Sequence, residues 1–420
     1  MSYGAIGKSV PKIDAELQVT GENRYAEDYF RPDMLCAKAL RSKHAHARIL
    51  NIDTSKARQY PGVEAVITAQ DFPHNRFGLT HQDQPVLADD RVRCFGDALA
   101  IVAATSTEAA EEALQLIQVD YEPLPSVFDP LEAMKADAPK VHGDTNVASH
   151  FKIRYGDLDQ GWRESDVIIE EKITTQMEEQ VHLEMHAATA ELDASGELLI
   201  RTSVQRPFLV ASDVGKILGM PSHKIRVVTP AVGGGFGGKA EITIEPYIAI
   251  LALRTRKPVR MAFTREDEFI ASTVRHPYIM TYKSGLKNDG TLIAREIEII
   301  SDSGAYVNAG SATLQKASIH AAGPYRIPHV SVDGYLVYTN NPVGGAMRGF
   351  GVTQLGFAYE VHMDTIAAEM DMDPVEFRLK NLFVDNCSLP TGQVVEVVTL
   401  NECLSEAIRM AGWKKEVRIL

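Results

Sequence analysis

Cysteine is scarce in this 420-residue chain, with Cys36, Cys94, Cys387 and Cys403 the whole complement. No two stand at CxxC spacing, which argues against an iron–sulfur cluster or structural zinc held by this chain alone. Four ordinary thiols in a reducing compartment are the simpler reading. Basic charge is also in short supply. Against 56 Asp and Glu there are 43 Lys and Arg, and the formal net charge of -13 argues against sequence-independent binding of nucleic acid. No apolar run reaches the roughly 18 residues that span a bilayer. The stretch from Met1 to Lys12 lacks the apolar centre of a signal peptide, so the chain reads as cytoplasmic. Internal repeats, low-complexity segments and heptads are missing too. What is present, 45% hydrophobic and 24% charged residues, suits a folded chain with a sizeable core and two or more domains.

Glycine, in contrast, is concentrated. Residues Gly233-Gly234-Gly235-Phe236-Gly237-Gly238 hold five glycines in six positions, after an apolar run from Ile225 and before Lys239. Glycine costs conformational entropy, so a cluster implies positive φ angles or a close approach that a Cβ would block. A strand, a glycine turn and a helix start form an anion cradle, which predicts a phosphorylated or oxyanionic guest. Two familiar nucleotide patterns match in outline and fail in chemistry. Gly233-x4-Gly238-Lys239 resembles a P-loop, but Ala240 has no side-chain oxygen for Mg²⁺. Gly233-x-Gly235-x-x-Gly238 resembles the dinucleotide fingerprint, but Val259-Arg260-Met261 supplies no acid for a ribose about 20 residues on.

A second glycine-rich loop spans Gly344 to Gly351 and contains Arg348, whose planar fork suits a phosphate or diphosphate. Gln205, at the end of a predicted strand, carries an amide that suits an oxo or hydroxo group. His182-x-Glu184-x-His186 has the look of a metal cluster, yet spacing of two places all three on one face of a predicted strand, and a structural role is favoured. Along the chain, residues 1 to about 20 read as an irregular arm, and 21–128 as a compact α+β domain with no catalytic constellation. Pro123, Pro125 and Pro130, then Ala136 to His142, mark a linker, set at 129–145, and 146–420 reads as a second domain. A strand feeds the first glycine loop from Lys224 to Val232, a long helix starts near Gln354, and Asp373-Pro374-x-Glu376 marks another helix start.

The motif Gly233–Lys239, then Ala346-Met347-Arg348-Gly349-Phe350-Gly351 about 110 residues later, with Ser203-Val204-Gln205 ahead of both, resembles the molybdenum-cofactor subunit of the xanthine dehydrogenase/aldehyde oxidase family. The resemblance runs from about Gly21 to Ala411. It implies an α+β architecture: an N-terminal hammerhead-like α/β domain, then the first half of an elongated molybdenum-cofactor-binding domain. The implied cofactor is molybdopterin with Mo, as the cytosine dinucleotide in a bacterial protein. Gln205 would hydrogen-bond the apical oxo group, and the segment Gly235, Phe236 and Gly237 would face the metal. Arg348, with Ala346, Met347 and Gly349, would contact the pterin. Gln205, Phe236 and Arg348 would lie near the Mo without ligating it.

The implied reaction hydroxylates an N-heteroaromatic substrate, nicotinate- or purine-like, with water as oxygen source, and electrons leave through iron–sulfur clusters to FAD on partner subunits. Purine-oxidising members carry a glutamate where Ala240 stands, an arginine where Gln315-Lys316-Ala317 stands, and phenylalanine where Met347 stands. Lys316 keeps the charge without the bidentate fork, so a small anionic heteroaromatic such as a pyridine carboxylate suits it better than xanthine in the usual pose. The family's base, a glutamate, comes from a later part of the molybdenum domain. Ending at Trp413–Leu420, this chain is expected to work with a second molybdopterin subunit, a [2Fe-2S] subunit and an FAD subunit. An aldehyde- or CO-oxidising relative and a degenerate cofactor-free scaffold are the alternatives.

Overall fold

In the computed structural model, residues 4 and 6–413 are described, and they form two compact units. Of the described residues, the first contains those up to Phe77, Pro85–Pro123 and Gln180–Ser272; the second contains Gly78–Gln84, Leu124–Glu179 and those from Thr273 on. The chain thus leaves the first unit and returns to it. Lys414–Leu420, the main part of the expected polar terminus, lie outside the described residues.

A seven-stranded sheet forms the first unit, in the order Ile225–Val228, Leu198–Thr202, Ala187–Leu192, Val259–Ala262, Leu35–Arg41, Ala98–Ala104, Val63–Thr68. Ala98–Ala104 is buried at every position, as its unbroken apolar run requires of a central strand. Helix Thr107–Gln115 packs near it, with the Ser106 hydroxyl accepting from the Ala109 N–H and Ala110 and Ala113 turned inward. Leu198–Thr202 runs parallel to Ile225–Val228, with helix Pro207–Leu218 as the crossover between them. Ala187–Leu192 is antiparallel to Leu198–Thr202 and also to Val259–Ala262.

Those directions decide where the chemistry collects. The C-terminal ends of Leu198–Thr202, Ile225–Val228 and Val259–Ala262 lie at the same edge as the start of Ala187–Leu192, since Ala188 faces Thr202, Arg201 faces Val228 and Ala187 faces Ala262. Gln205, the glycine loop, His182–His186 and the helix Arg265–Ala271 all follow or precede those ends. Ligand sites at the carboxyl ends of parallel strands are a general feature of α/β sheets.

In the second unit the order is Val167–Thr175, Tyr278–Leu286, Leu292–Gly304, His329–Tyr338, Val147–Tyr155. Thr175 faces Tyr278, Tyr278 faces Ser301, and Gly304 faces Tyr338, so Glu178, Arg275 and the second glycine loop gather at one edge. Helix Gly310–His320 connects the parallel pair Leu292–Gly304 and His329–Tyr338. It was not visible in the sequence pattern, because its buried face is built from Gly310, Ser311, Thr313, Ala317 and Ser318 around Leu314.

Several expectations are corrected. The N-terminal arm contains a short helix, Ala15–Thr20, closed by Gly21 at positive φ. The expected linker at 129–145 carries a helix, Pro130–Ala133, capped by Asp129, and Ala133 and Val141 belong to the second unit's core. The strand expected over Lys224–Val232 ends at Val228, where Thr229 and Pro230 turn the chain out of the sheet. The long helix runs Val352–Glu369, and the Asp373 cap before Pro374–Asn381 is as expected. Among the described residues no helix is long and apolar enough to cross a membrane.

Candidate functional site

Gln205 leaves the end of its strand two residues before the helix Pro207–Leu218, and the first glycine loop holds it. Its backbone N–H donates to the Lys239 carbonyl at 2.8 Å, and its Oε1 accepts the Gly237 N–H at 2.9 Å. A backbone N–H needs an acceptor, so this contact fixes which way the amide faces. The Nε2 group is left as a free donor, with no partner among the described residues.

The glycines of this loop are needed mainly by the protein's own side chains. A Cβ on Gly235 would sit 2.6 Å from Gln205 Oε1, and one on Gly233 would sit 2.6 Å from Glu184 Cβ. Phe236 adopts φ +52° and Gly237 φ +108°, a turn that leaves the Phe236 ring 49% exposed. Holding a bulky residue in the left-handed region costs about 1–2 kcal/mol.

The expected cradle at a helix start is corrected for this loop. Helix Glu245–Thr255 begins six residues beyond Lys239, and its N-terminus is already served by the buried Glu245. That carboxylate accepts the Thr243 N–H at 2.8 Å and the Thr202 hydroxyl at 2.7 Å. A second anion has no reason to bind there.

Beneath the loop lies a polar layer that the sequence showed only in part. Residues 181–186 do not form a strand; they bend ahead of Ala187–Leu192, and the His-x-Glu-x-His set divides. Glu184 turns to Lys239, whose Nζ donates to its Oε2 at 2.8 Å. His186 instead meets Glu268, its Nδ1 lying 2.9 Å from Oε2 and its backbone N–H donating to Oε1. His182 Nε2 lies 3.8 Å from the same carboxylate. Burial pushes the Glu268 carboxyl up, but the hydrogen bonds and electrostatic attraction of His186, with a contribution from His182, together outweigh it and leave it below its usual range. Burial also lowers His182. Glu268 is 82 residues from His186 and Lys239 is 55 from Glu184, so spacing alone could not reveal either pairing.

Glu241 flanks the same loop, with Arg206 Nη1 3.8 Å from its carboxylate, and burial raises its pKa. Ala240, at the position after the lysine, is buried.

In the second unit, Gly344–Gly345 pairs in parallel with Val274–Arg275. Arg275 clamps the loop: its two terminal nitrogens each lie 3.3 Å from the Arg348 carbonyl, Nη1 donates to Thr353 Oγ1 at 2.7 Å, and Nε donates to Glu178 at 3.0 Å. With its carbonyl held, Arg348 has an exposed side chain that makes no ion pair among the described residues. Phe350 (φ +50°) and Gly351 (φ +92°) repeat the turn of Phe236 and Gly237. This turn opens directly into Val352–Glu369, whose first turn has no acidic residue and no side-chain cap. The Val352 N–H already donates to the Gly349 carbonyl at 3.1 Å, so what this start offers an anion is the helix dipole without an acid of its own. Ala346 is buried, Met347 half-buried and Gly349 exposed. Lys316 is exposed on Gly310–His320, and its ammonium has no partner among the described residues.

The structure therefore collects Gln205, Gly235, Phe236 and Gly237 in the first unit, and Ala346, Met347, Arg348 and Gly349 in the second. Each set by itself offers groups that fit part of an anionic oxo-metal cofactor: a free amide donor in the first unit, and in the second a guanidinium without an ion pair and a helix start without an acid.

The molybdopterin cofactor-binding domain family matches residues 141–382, and the a/b hammerhead domain of aldehyde oxidase and xanthine dehydrogenase matches 20–125. The large molybdopterin subunit of nicotinate dehydrogenase from Eubacterium barkeri is 39% identical, across 98% of this chain and 99% of that one. The aldehyde oxidoreductase of Desulfovibrio gigas superposes with a TM-score of 0.91 at 32% identity, over 96% of this chain and 46% of that one. Quinoline 2-oxidoreductase from Pseudomonas putida 86 gives 0.91 at 29% identity, over 97% and 54%. The chain thus spans about half the length of these solved chains.

Proposed function

The chain belongs to the xanthine dehydrogenase/aldehyde oxidase family of molybdopterin-binding chains, and on that premise we propose that it serves a hydroxylase of small anionic N-heteroaromatic rings, nicotinate-like rather than purine-like. The observation that carries the cofactor assignment is Gln205, whose Oε1 is occupied by the Gly237 N–H and whose Nε2 is left to donate. When bound, the molybdenum centre would supply the oxidising power for hydroxylating an electron-poor ring carbon with oxygen from water.

This chain's residues do the rest. Gln205 Nε2 donates to an oxo group, and the backbone of Gly235, Phe236 and Gly237 shapes the wall around it. The exposed Phe236 ring offers a face for an aromatic substrate. Arg348 and the start of Val352–Glu369 hold the anionic pterin side, as the cytosine dinucleotide in this reading. Lys316 supplies the cation for a ring carboxylate, and Ala240 removes the glutamate that purine oxidation uses in the family.

The base is assigned to a second molybdopterin subunit; of the carboxylates that adjoin the first loop, Glu184 is held by Lys239, and Glu241 has Arg206 3.8 Å away. Apolar side chains near that loop fit such a neighbour, with Leu183 89% and Phe208 92% exposed. Electrons would pass to a [2Fe-2S] subunit and an FAD subunit, and a cytoplasmic location belongs to the same reading.

Metal analysis and turnover of the purified multisubunit complex test it. The expected result is about one molybdenum per chain, turnover of nicotinate in preference to xanthine and benzaldehyde, and a kcat about 10²-fold lower in Gln205→Ala at unchanged Tm. A complex without molybdenum would sink the cofactor assignment, and preference for xanthine or benzaldehyde would sink the substrate.

A further inference from the structure

One carboxylate oxygen holds both ends of the first glycine loop. Glu184 Oε2 accepts the Gly233 N–H at 2.7 Å and the Lys239 Nζ at 2.8 Å, so the first and last residues of the loop meet on a single atom. The Glu184 backbone joins the same grip, its N–H donating to the Gly233 carbonyl at 3.1 Å. Lys239 is wholly buried, and Glu184 is the carboxylate it pairs with. Its carbonyl, on the other side, accepts the Gln205 N–H at 2.8 Å. Between these ends Gly237 N–H donates to Gln205 Oε1, and Gly238 N–H donates to the Gly235 carbonyl at 2.7 Å.

Glu184 is itself fixed from below. His182 Nδ1 lies 2.6 Å from the Glu184 carbonyl, and Arg265 Nη2 donates to the His182 carbonyl at 2.7 Å. A residue held this way on its backbone and charged at its tip is a fixed anchor, not a surface pair. Loops closed by long-range polar contacts open independently of the core when the contact is lost.

We infer that Glu184 and Lys239 are positioning residues: they form a buried staple that closes the Gly233–Lys239 loop and thereby sets the orientation of the Gln205 amide and the Phe236 ring. Lys239 is wholly buried and Glu184 largely so, and the two are spent on each other and on the Gly233 N–H. The positioning part of this inference rests on the molybdenum site proposed above; the closure of the loop does not.

The staple predicts a specific pattern of variants. Removing Glu184 alone strands a buried cation, so the informative change is the double substitution Glu184→Gln/Lys239→Met, which keeps an acceptor for the Gly233 N–H and removes both charges together. Lys239→Arg is the conservative control. Amide hydrogen exchange of the whole chain reads the loop directly. Peptides covering 233–239 should exchange at least about tenfold faster in the double variant while the sheet strands keep their protection, and Lys239→Arg should restore most of it.

In the molybdenum-loaded complex, the Mo(V) EPR signal after dithionite reduction should change in the double variant at unchanged metal content. Unchanged exchange at 233–239 overturns the staple, and so does global unfolding of the double variant, since the pair would then be supporting the core. Faster exchange with an unaltered EPR signal overturns the positioning role. Absence of molybdenum from the wild-type complex overturns the cofactor reading, and the exchange experiment still decides the staple.

Discussion

The two glycine loops make the same turn and are built in opposite ways. Phe236-Gly237 and Phe350-Gly351 share almost the same φ values, +52° and +108° against +50° and +92°. The first is shaped by side chains that press on its glycines, Glu184 at Gly233 and Gln205 at Gly235, and it lies apart from a helix start already filled by Glu245. The second leads straight into an 18-residue helix with nothing acidic in its first turn, and it is held by the pairing of Gly344–Gly345 with Val274–Arg275 and by the Arg275 clamp on the Arg348 carbonyl. A side-chain frame suits a loop that must present one amide and one ring in a fixed direction. An open helix start with a free arginine suits a loop that must hold negative charge. The repeated turn therefore carries no function of its own; what surrounds it decides what each loop offers.

Breaking the frame of the first loop should cost most. Glu184→Ala leaves Lys239 buried without its carboxylate, and chemical denaturation should show a loss of about 3–5 kcal/mol. Acid should act next, on the second unit. His276 is fully buried behind Gly344, and burial, followed by the neighbouring Arg275 charge, lowers its pKa to about 4. Its folded value lies below the ordinary one near 6.5, so the unfolded state binds the proton first. Stability is complete above that pH and falls as pH drops from about 6.5 toward 4, by up to ~3 kcal/mol. Denaturation followed through that window should lose this slope when His276 is replaced by a neutral residue that fits.

Arg275→Ala removes the clamp, and about 1–2 kcal/mol should follow from the unsatisfied Arg348 carbonyl; a loss as large as that of Glu184→Ala would erase the contrast between the loops. Phe236→Gly should raise stability by roughly 0.5–1 kcal/mol, since a half-exposed ring gives up little packing when the positive φ is relieved. Arg348→Ala should change stability least, within about 0.5 kcal/mol, because its side chain has no partner to lose. The same variant should be purified with less cofactor, and an unchanged molybdenum content would remove Arg348 from the site.

Both loops, Gln205 and Arg348 were legible in the sequence because glycine clusters and a family-like spacing are local signals. Their supports were not. Lys239 was visible only as the last letter of a failed nucleotide motif, and its partner Glu184 was grouped with two histidines that turn elsewhere. Glu268 and Arg275 gave no signal at all, since each acts through a strand end brought near by sheet order. Helix Gly310–His320 escaped because small residues pack as well as large ones against a sheet, yet leave no hydrophobic period to read. The anion cradle does not fit the first loop: it needs a helix start without its own acid, and Glu245 occupies that one.

The order of the seven-stranded sheet has a consequence for how the chain is made. Leu35–Arg41 lies between Ala98–Ala104, which follows soon in sequence, and Val259–Ala262, more than two hundred residues later. During synthesis the ribosome must deliver residues through about 262 before that strand has both neighbours, and the intervening 124–179 belong to the other unit. Until then Leu35–Arg41 is a nascent edge with bare N–H and C=O groups, open to strand exchange with another chain. A fragment that stops near Pro123 would keep that edge permanently, so soluble expression should demand a chain that continues past Ala262.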